Sequence, residues 1–429
     1  MISKLKKSKF LRGVAVVIVG TATAQLISLL FSPLLTRVYS PTAFGLLGAF
    51  TAILSVLIPF CTMSLPIAIV LPKEESKANK LVVLTLFTSV VISSLIAFLY
   101  YLYSKEIGDI LNLEGSEGLY YFIPVAMICS TFYLVMNYRV LRHELYKIKA
   151  QASVIHSIWF NISKLAIGFV YPISITLVAL TAISNGVFAI ILLILKNKKF
   201  PDKKHVDINI DLRGLADIGK EYKRFAIYRT PQSMINAISQ NIPTILLATF
   251  FGAASVGYYT LSRMVLTAPV TLIGQSVSSV FLPKFNAKYN SNENYNKMLI
   301  MSVLSLFLLA IIPFSILFFQ GENIFNFVFG KEWSTAGIYA EWLAVWMFFG
   351  FINTPCVSAI SVLNLQFGFL IYEILSVSLR SIGIILGLYY FNSDITAIAL
   401  FSILGGALNL SLILWVIYNS IRSNSKAVF

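Results

Sequence analysis

Twelve long apolar runs divide this chain, separated by short polar segments. They fall at 12–35, 44–69, 80–103, 118–138, 150–171 and 173–195. After a hydrophilic stretch they resume at 225–250, 255–281, 298–319, 335–355, 365–391 and 394–420. A helix of about 20 residues crosses a hydrocarbon core of about 30 Å, so the pattern predicts an all-α, polytopic membrane protein of twelve transmembrane helices. Two distant stretches also read as versions of one another, 42–73 and 254–284. Each opens near a glycine (Gly45, Gly257), runs apolar for about 25 residues and closes on Leu-Pro-Lys, at Leu71–Lys73 and Leu282–Lys284. Six runs on each side of the hydrophilic stretch then predict a duplicated bundle. Residues 1–195 form one six-helix half, 196–224 a linker and 225–429 the other half. An even number of spans per half makes the two pseudo-symmetric about an axis along the membrane normal.

Charge orients this arrangement. Of the 33 Lys and Arg, Arg37, Lys105 and Lys331 fall in loops across the membrane from the N-terminus. Lys164, Arg229, Arg263 and Arg380 fall inside spans, and the other 26 lie on the N-terminal side. Basic loops stay cytoplasmic, so both termini and the linker are predicted there. The opposite loop 104–117 is acidic, with Glu106, Asp109, Glu114 and Glu117. Lys4, Lys6, Lys7, Lys9 and Arg12 before an apolar run imitate a signal peptide. The run continues to about Leu35, too long for a signal core, and reads as the uncleaved first span. Segment 196–224 reads either as a contact for anionic headgroups or as a solvated linker.

Composition changes the picture little. A chain of 429 residues that is 58% hydrophobic and 12% charged, with mean hydropathy +0.81, is no soluble globular protein. The net charge of +15 is spread over loops, which argues against a nucleic-acid partner. Cys61, Cys129 and Cys356 sit in apolar runs as small hydrophobes. His143, His156 and His205 are scattered, so no metal site is predicted.

Polar residues inside the spans supply the candidate chemistry. Helical spacing places Gln25 on a polar face of span 1. It aligns Arg229, Ser233, Asn236, Gln240 and Thr244 on span 7, and Arg263 with Thr267, Thr271 and Ser278 on span 8. Lys164 shares a face with Ser157, Asn161 and Gly168, and Arg380 one with Glu373 and Ser376. Small polar residues serve close helix packing equally well. A charge at mid-membrane costs at least about 2.5 kcal/mol and faces either a wet cavity or a counter-charge. The candidate anion-binding set is therefore Arg229, Arg263, Lys164 and Arg380, lined by Gln25, Asn236, Gln240 and Asn161. A net-positive cavity suits phosphate or pyrophosphate. Glu373, Glu341 and Lys164 are the candidates for coupling to ion movement, with a structural ion pair as the other reading of Glu373. Pro33, Pro59, Pro124, Pro243, Pro269 and Pro313 interrupt spans, as transporters tolerate. No phosphate-binding loop, HExxH, GxSxG or sizeable outer loop is present, so neither an enzyme nor a cofactor is predicted.

The segments SPLLTRVYSPTAFGLLGAF (32–50), AIVLPKEESKAN (68–79) and 222–284 resemble the Wzx-type O-antigen and capsule repeat-unit flippases. These belong to the multidrug/oligosaccharidyl-lipid/polysaccharide (MOP) superfamily. The resemblance implies two six-helix bundles around a central cavity in the bacterial inner membrane. It implies movement of an undecaprenyl-(pyro)phosphate-linked oligosaccharide to the periplasmic leaflet, for O-antigen or capsule assembly. Membrane lipids, and polymerase and chain-length proteins of the same pathway, would be the partners. Two rivals stand beside it. A cation-coupled multidrug antiporter of the same superfamily would place an acidic residue deep in an early span, and spans 1–6 have none. A glycan polymerase or ligase would need a large periplasmic loop.

Overall fold

The computed structural model describes residues 9–103, 118, 121–199, 212–291 and 293–427. The acidic loop 104–117, Lys4 to Lys7 and the 200–211 part of the linker with His205 lie outside the described residues. In lipid every backbone N–H and C=O must be satisfied within the chain, and among the described residues the regular elements are all helices. They are α1 (Lys9–Thr36), α2 (Pro41–Thr62), α3 (Glu75–Leu102), α4 (Phe122–Arg142), α5 (Tyr146–Val170), α6 (Ser174–Lys199) and α7 (Leu212–Glu221). Beyond these come α8 (Thr230–Phe251), α9 (Ala253–Asn290), α10 (Tyr295–Phe329), α11 (Ser334–Ile352), α12 (Thr354–Ile360), α13 (Gln366–Phe391) and α14 (Asp394–Ala427). Twelve of them are long and apolar enough to cross a membrane. The chain is a multi-pass membrane protein.

By its contacts the chain divides into two compact units, Met1–Val256 and Gly257–Phe429. In the first, α8 packs on α2. Asn241 Nδ2 donates to Ser55 Oγ at 2.9 Å, and the Thr230 and Ser64 hydroxyls meet at 3.2 Å. Gly45 allows the closest approach, since a Cβ there would overlap the Ala253 carbonyl. Ser40 caps α2 by accepting from the Ala43 N–H at 3.3 Å, with Pro41 starting the helix where no N–H is needed.

The apolar run 44–69 is broken. Helix α2 stops at Thr62, Met63 and Ser64 take left-handed conformations (φ 47° and 51°), and a 3-10 turn covers Leu65–Val70. Arg142 at the end of α4 holds this turn and the loop from Leu71 to Glu75. Its Nη1 donates to the carbonyls of Ile69 (3.0 Å) and Pro72 (2.6 Å), Nη2 to Lys73 (3.3 Å), and Nε to Glu75 Oε2 (3.0 Å). Arg139 is buried beside it and donates to Asn79 Oδ1 at 2.7 Å. His143 approaches the other Glu75 oxygen at 3.5 Å. Burial holds its pKa below the usual histidine value; Glu75 pulls it up and Lys196, Arg139 and Arg142 push it further down.

The linker contains α7, an element the hydropathy runs do not predict. Its Leu215 and Ile218, one turn apart, are buried, and Ile218 joins Leu65, Ile69, Leu81 and Val82 in one cluster. Lys77 and Glu221 pair beside it at 3.1 Å. A short helix with one apolar stripe is stabilised by what it packs against, which hydropathy averaging cannot see.

In the second unit α10 and α11 cross at Gly321 and Gly337, where a Cβ on Gly337 would lie 2.5 Å from the Gly321 carbonyl oxygen. Helix α10 runs to Phe329, ten residues past its predicted end. Gln320, Glu322 and Asn323 extend the helix beyond its apolar stretch. Ser262 Oγ donates to the Ala336 carbonyl at 2.6 Å, and Phe281, Phe285, Tyr295, Leu299, Ile352 and Val416 belong to one buried cluster.

Candidate functional site

The polar seam between α1 and α5 is a packing device. Ser157 Oγ donates to the Ala24 carbonyl at 2.7 Å. Asn161 Nδ2 donates to Ser28 Oγ at 3.0 Å and to the Ser157 carbonyl at 2.8 Å. Asn161 is 3% exposed, so it joins two helices, whereas Gln25 on α1 is exposed.

One turn beyond Asn161, Lys164 directs its ammonium at a ring: Nζ lies 3.8 Å from the Phe160 centroid. Phe160 stacks on His156 (5.6 Å, 15°), His156 on Phe188 (4.5 Å, 9°) and Phe188 on Tyr133 (4.6 Å, 26°). His156 Nε2 is fixed by the Ser184 hydroxyl at 2.8 Å and the Ser184 carbonyl at 3.1 Å. A cation thus ends a four-ring column inside the first unit. The ring quadrupole attracts it without cancelling its charge.

On α8 the predicted stripe divides. Arg229 closes a π-helical turn, Phe225–Arg229, and is exposed, donating from Nη1 to Gln232 Oε1 at 2.9 Å. Asn236 and Gln240 are exposed, and Thr244 is buried. π-Turns inside helices occur often at functional sites, because the extra residue frees a carbonyl and re-aims a side chain.

In the second unit Arg263 and Arg380 are brought together. Both act on the buried Tyr259, whose hydroxyl shares a hydrogen bond with Arg263. Arg380 Nε donates to the Ser376 carbonyl at 3.0 Å, and its guanidinium carbon lies 5.2 Å from the Trp346 ring and 5.5 Å from Phe401. Glu373 is exposed and acts on Arg380 electrostatically, but makes no ion pair within 4 Å among the described residues. Glu341 instead braces two helices, its Oε1 accepting from the Glu322 N–H at 2.9 Å. Asn409 Oδ1 accepts from the Asn353 amide (3.2 Å) and the Tyr372 hydroxyl (3.1 Å), a half-buried knot that sequence reading missed. Among the described residues no three His, Cys, Asp or Glu gather as a metal site.

The two units share one device. Lys164 lies on the fifth span, in the first unit, and Arg380 on the eleventh, in the second. Each is held at membrane depth over aromatic rings. Phe160 precedes Lys164 by one helical turn, but sequence reading placed Lys164 with Ser157, Asn161 and Gly168 and did not pair it with the ring. Trp346 and Phe401 lie on other helices than Arg380 and were not paired with it either.

Comparison with known proteins identifies the family and the fold. A family model described as polysaccharide biosynthesis protein matches residues 34–337. The chain belongs to that family. A curated member of the same kind of pathway, the teichuronic acid biosynthesis protein TuaB of Bacillus subtilis (strain 168), is 30% identical over 138 residues. That alignment covers 31% of this chain and 27% of TuaB, so the chain spans about a quarter of the length of that relative. Two solved structures share the fold of this polysaccharide biosynthesis protein along nearly its whole length. An inward-facing multidrug resistance MATE family transporter of the MOP superfamily gives a TM-score of 0.72 at 12% identity, covering 94% of this chain and 96% of its own. The lipid II flippase MurJ in an inward closed conformation gives 0.66 at 16% identity, covering 96% and 90%. Identities this low establish the fold alone.

Proposed function

We propose that this polysaccharide biosynthesis protein is a flippase for lipid-linked oligosaccharide. It would move an undecaprenyl-(pyro)phosphate-linked repeat unit from the cytoplasmic to the periplasmic leaflet of a bacterial inner membrane, without covalent chemistry. The observation that carries the reading is the way Lys164 and Arg380 are held. Both are cations at membrane depth, and the contacts that hold them are rings and a backbone carbonyl, with no carboxylate within 4 Å among the described residues. Such a cation keeps most of its charge for a ligand, and an anion is what it attracts. Arg263 beside Tyr259 adds a second guanidinium, whose forked donors match a phosphate. The family, and a fold shared with a protein named lipid II flippase, support the same substrate class. The bias of Lys and Arg toward the N-terminal side supports cytoplasmic termini.

Cells carrying Arg380→Ala as their only copy test this. The expected result is surface polysaccharide reduced at least about tenfold, the loss of one strong charge-assisted contact, with normal protein abundance and single lipid-linked repeats retained on the cytoplasmic leaflet. Arg380→Lys, which keeps the charge, should recover part of the export. Unaltered surface glycan in Arg380→Ala would overturn the assignment. If deletion of the protein leaves glycan intact and sensitises cells to cationic dyes, the multidrug antiporter reading replaces it.

A further inference from the structure

Helix α1 is the least buried of the twelve spans, with 11% of its apolar window covered. Its main support is α5, and the two meet at Gly20, where a Cβ would lie 2.5 Å from the Ala150 Cβ. Beside this crossing runs a groove of about 720 Å³, lined by Val16 and Val19 of α1, Val154 and Ile155 of α5, and Leu195 of α6, with Thr23 and Gln151 as polar points. Along α1 the lining extends from Ala15 to Thr23, about 12 Å at 1.5 Å per residue, most of the roughly 15 Å depth of one leaflet.

The end of the groove is basic. Lys147 precedes Gln151 by one helical turn, and Lys198 lies three residues beyond Leu195, so both share the lining faces of their helices. Both stand at the outer ends of their apolar spans, Tyr146–Val170 and Ser174–Lys198, which is headgroup depth. Both are exposed and neither forms an ion pair among the described residues. An apolar slot one leaflet deep with two ammonium groups at its mouth matches one lipid: an acyl chain below, a phosphate above.

The geometry points to a site for an anionic glycerophospholipid in the α1–α5–α6 groove, whose acyl chain braces α1 against the first unit. A carrier lipid is the poorer occupant, because its prenyl chain far exceeds a slot that ends within one leaflet. The site is independent of the flippase reading, and its test uses no transport measurement.

Purified full-length protein is equilibrated with phosphatidylglycerol or phosphatidylcholine, and retained lipid is counted by native mass spectrometry alongside the melting temperature. Two interfacial lysines predict a preference of about thirtyfold for phosphatidylglycerol, and a melting temperature higher by at least about 2 °C in that lipid. The double variant Lys147→Gln/Lys198→Gln changes only exposed positions and should bring both differences close to zero. Val19→Trp, filling the groove from a position 64% exposed, should lose the retained lipid with its melting temperature in phosphatidylcholine unchanged. Equal retention of the two lipids by the native protein would overturn the proposal. So would a preference that survives the double lysine variant, or undecaprenyl phosphate displacing phosphatidylglycerol.

Discussion

The two stretches that end in Leu-Pro-Lys are alike in hydropathy and different in structure. In the first, 42–73, the helix stops at Thr62, reverses through left-handed Met63 and Ser64, and ends in a loop that contains Leu71-Pro72-Lys73. In the second, 254–284, one helix of 38 residues passes through Pro269 and Pro283 without a break. Leu-Pro-Lys is therefore no stop signal by itself. Aligning the two motifs puts Pro66 opposite Val277 and Met63 opposite Gly274. Pro66 opens the 3-10 turn, where its missing N–H costs nothing, and Arg142 takes the loop carbonyls of Ile69, Pro72 and Lys73. At the matching place in the second stretch, α9 keeps its backbone bonds and packs sideways. Ser278 reaches Ser358 at 2.8 Å, and Val277 fills the core beside Phe348. A break in a membrane helix persists only where another element satisfies the freed carbonyls.

The sharpest way to break this comparison is to give the second stretch the first stretch's proline. Val277→Pro removes a mid-helix N–H, clashes with the preceding turn and has no arginine to compensate, so it should cost about 3 kcal/mol or more. The protein should fail to accumulate in membranes or melt far below the native protein in detergent. A native-like melting temperature would mean that the second stretch has its own provision for a break. Next in size is Arg142→Met in the first unit. It strands three carbonyls and leaves Glu75 with His143 alone, a loss of about 2–3 kcal/mol, read as a lowered melting temperature. Arg142→Lys should restore less than half of it, since one ammonium cannot reproduce the guanidinium fork. Equal stability of Arg142→Lys and the native protein would show that charge alone holds the loop.

The same contrast explains what the sequence could and could not disclose. Span number and spacing were legible because lipid imposes length and hydropathy on each helix separately. The Lys164–Phe160 contact lies within one turn of one helix, yet it went unread because attention fell on the polar residues of that face. The roles of Asn161, Glu341 and Arg142 were not legible. Each depends on which face a second helix presents: α1 for Asn161, α10 for Glu341 and the 65–75 loop for Arg142. Asn161 looked like cavity lining and is a joint between helices; Glu341 stood among the coupling candidates and spends an oxygen on the Glu322 backbone. Polar residues at helical spacing give a face. Only the partner helix decides whether that face meets protein or solvent.

The smallest effect belongs to pH, and it should be confined to the first unit. All three histidines precede residue 206, so only the Arg142 loop has one beside it. Burial holds the His143 pKa below its ordinary value of 6.5, outweighing the attraction of Glu75. The folded state then binds fewer protons at this site than the unfolded chain. Its contribution to stability is complete above about 6.5 and is lost as the pH falls through that value toward the depressed one. His143→Gln should therefore melt less steeply with falling pH than the native protein between about pH 7 and 5, and match its slope above that window. His143 is half exposed to solvent that screens the effect, so the two curves should part by little. Parallel curves would detach His143 from the loop's stability and leave Arg142 and Glu75 to hold the break alone.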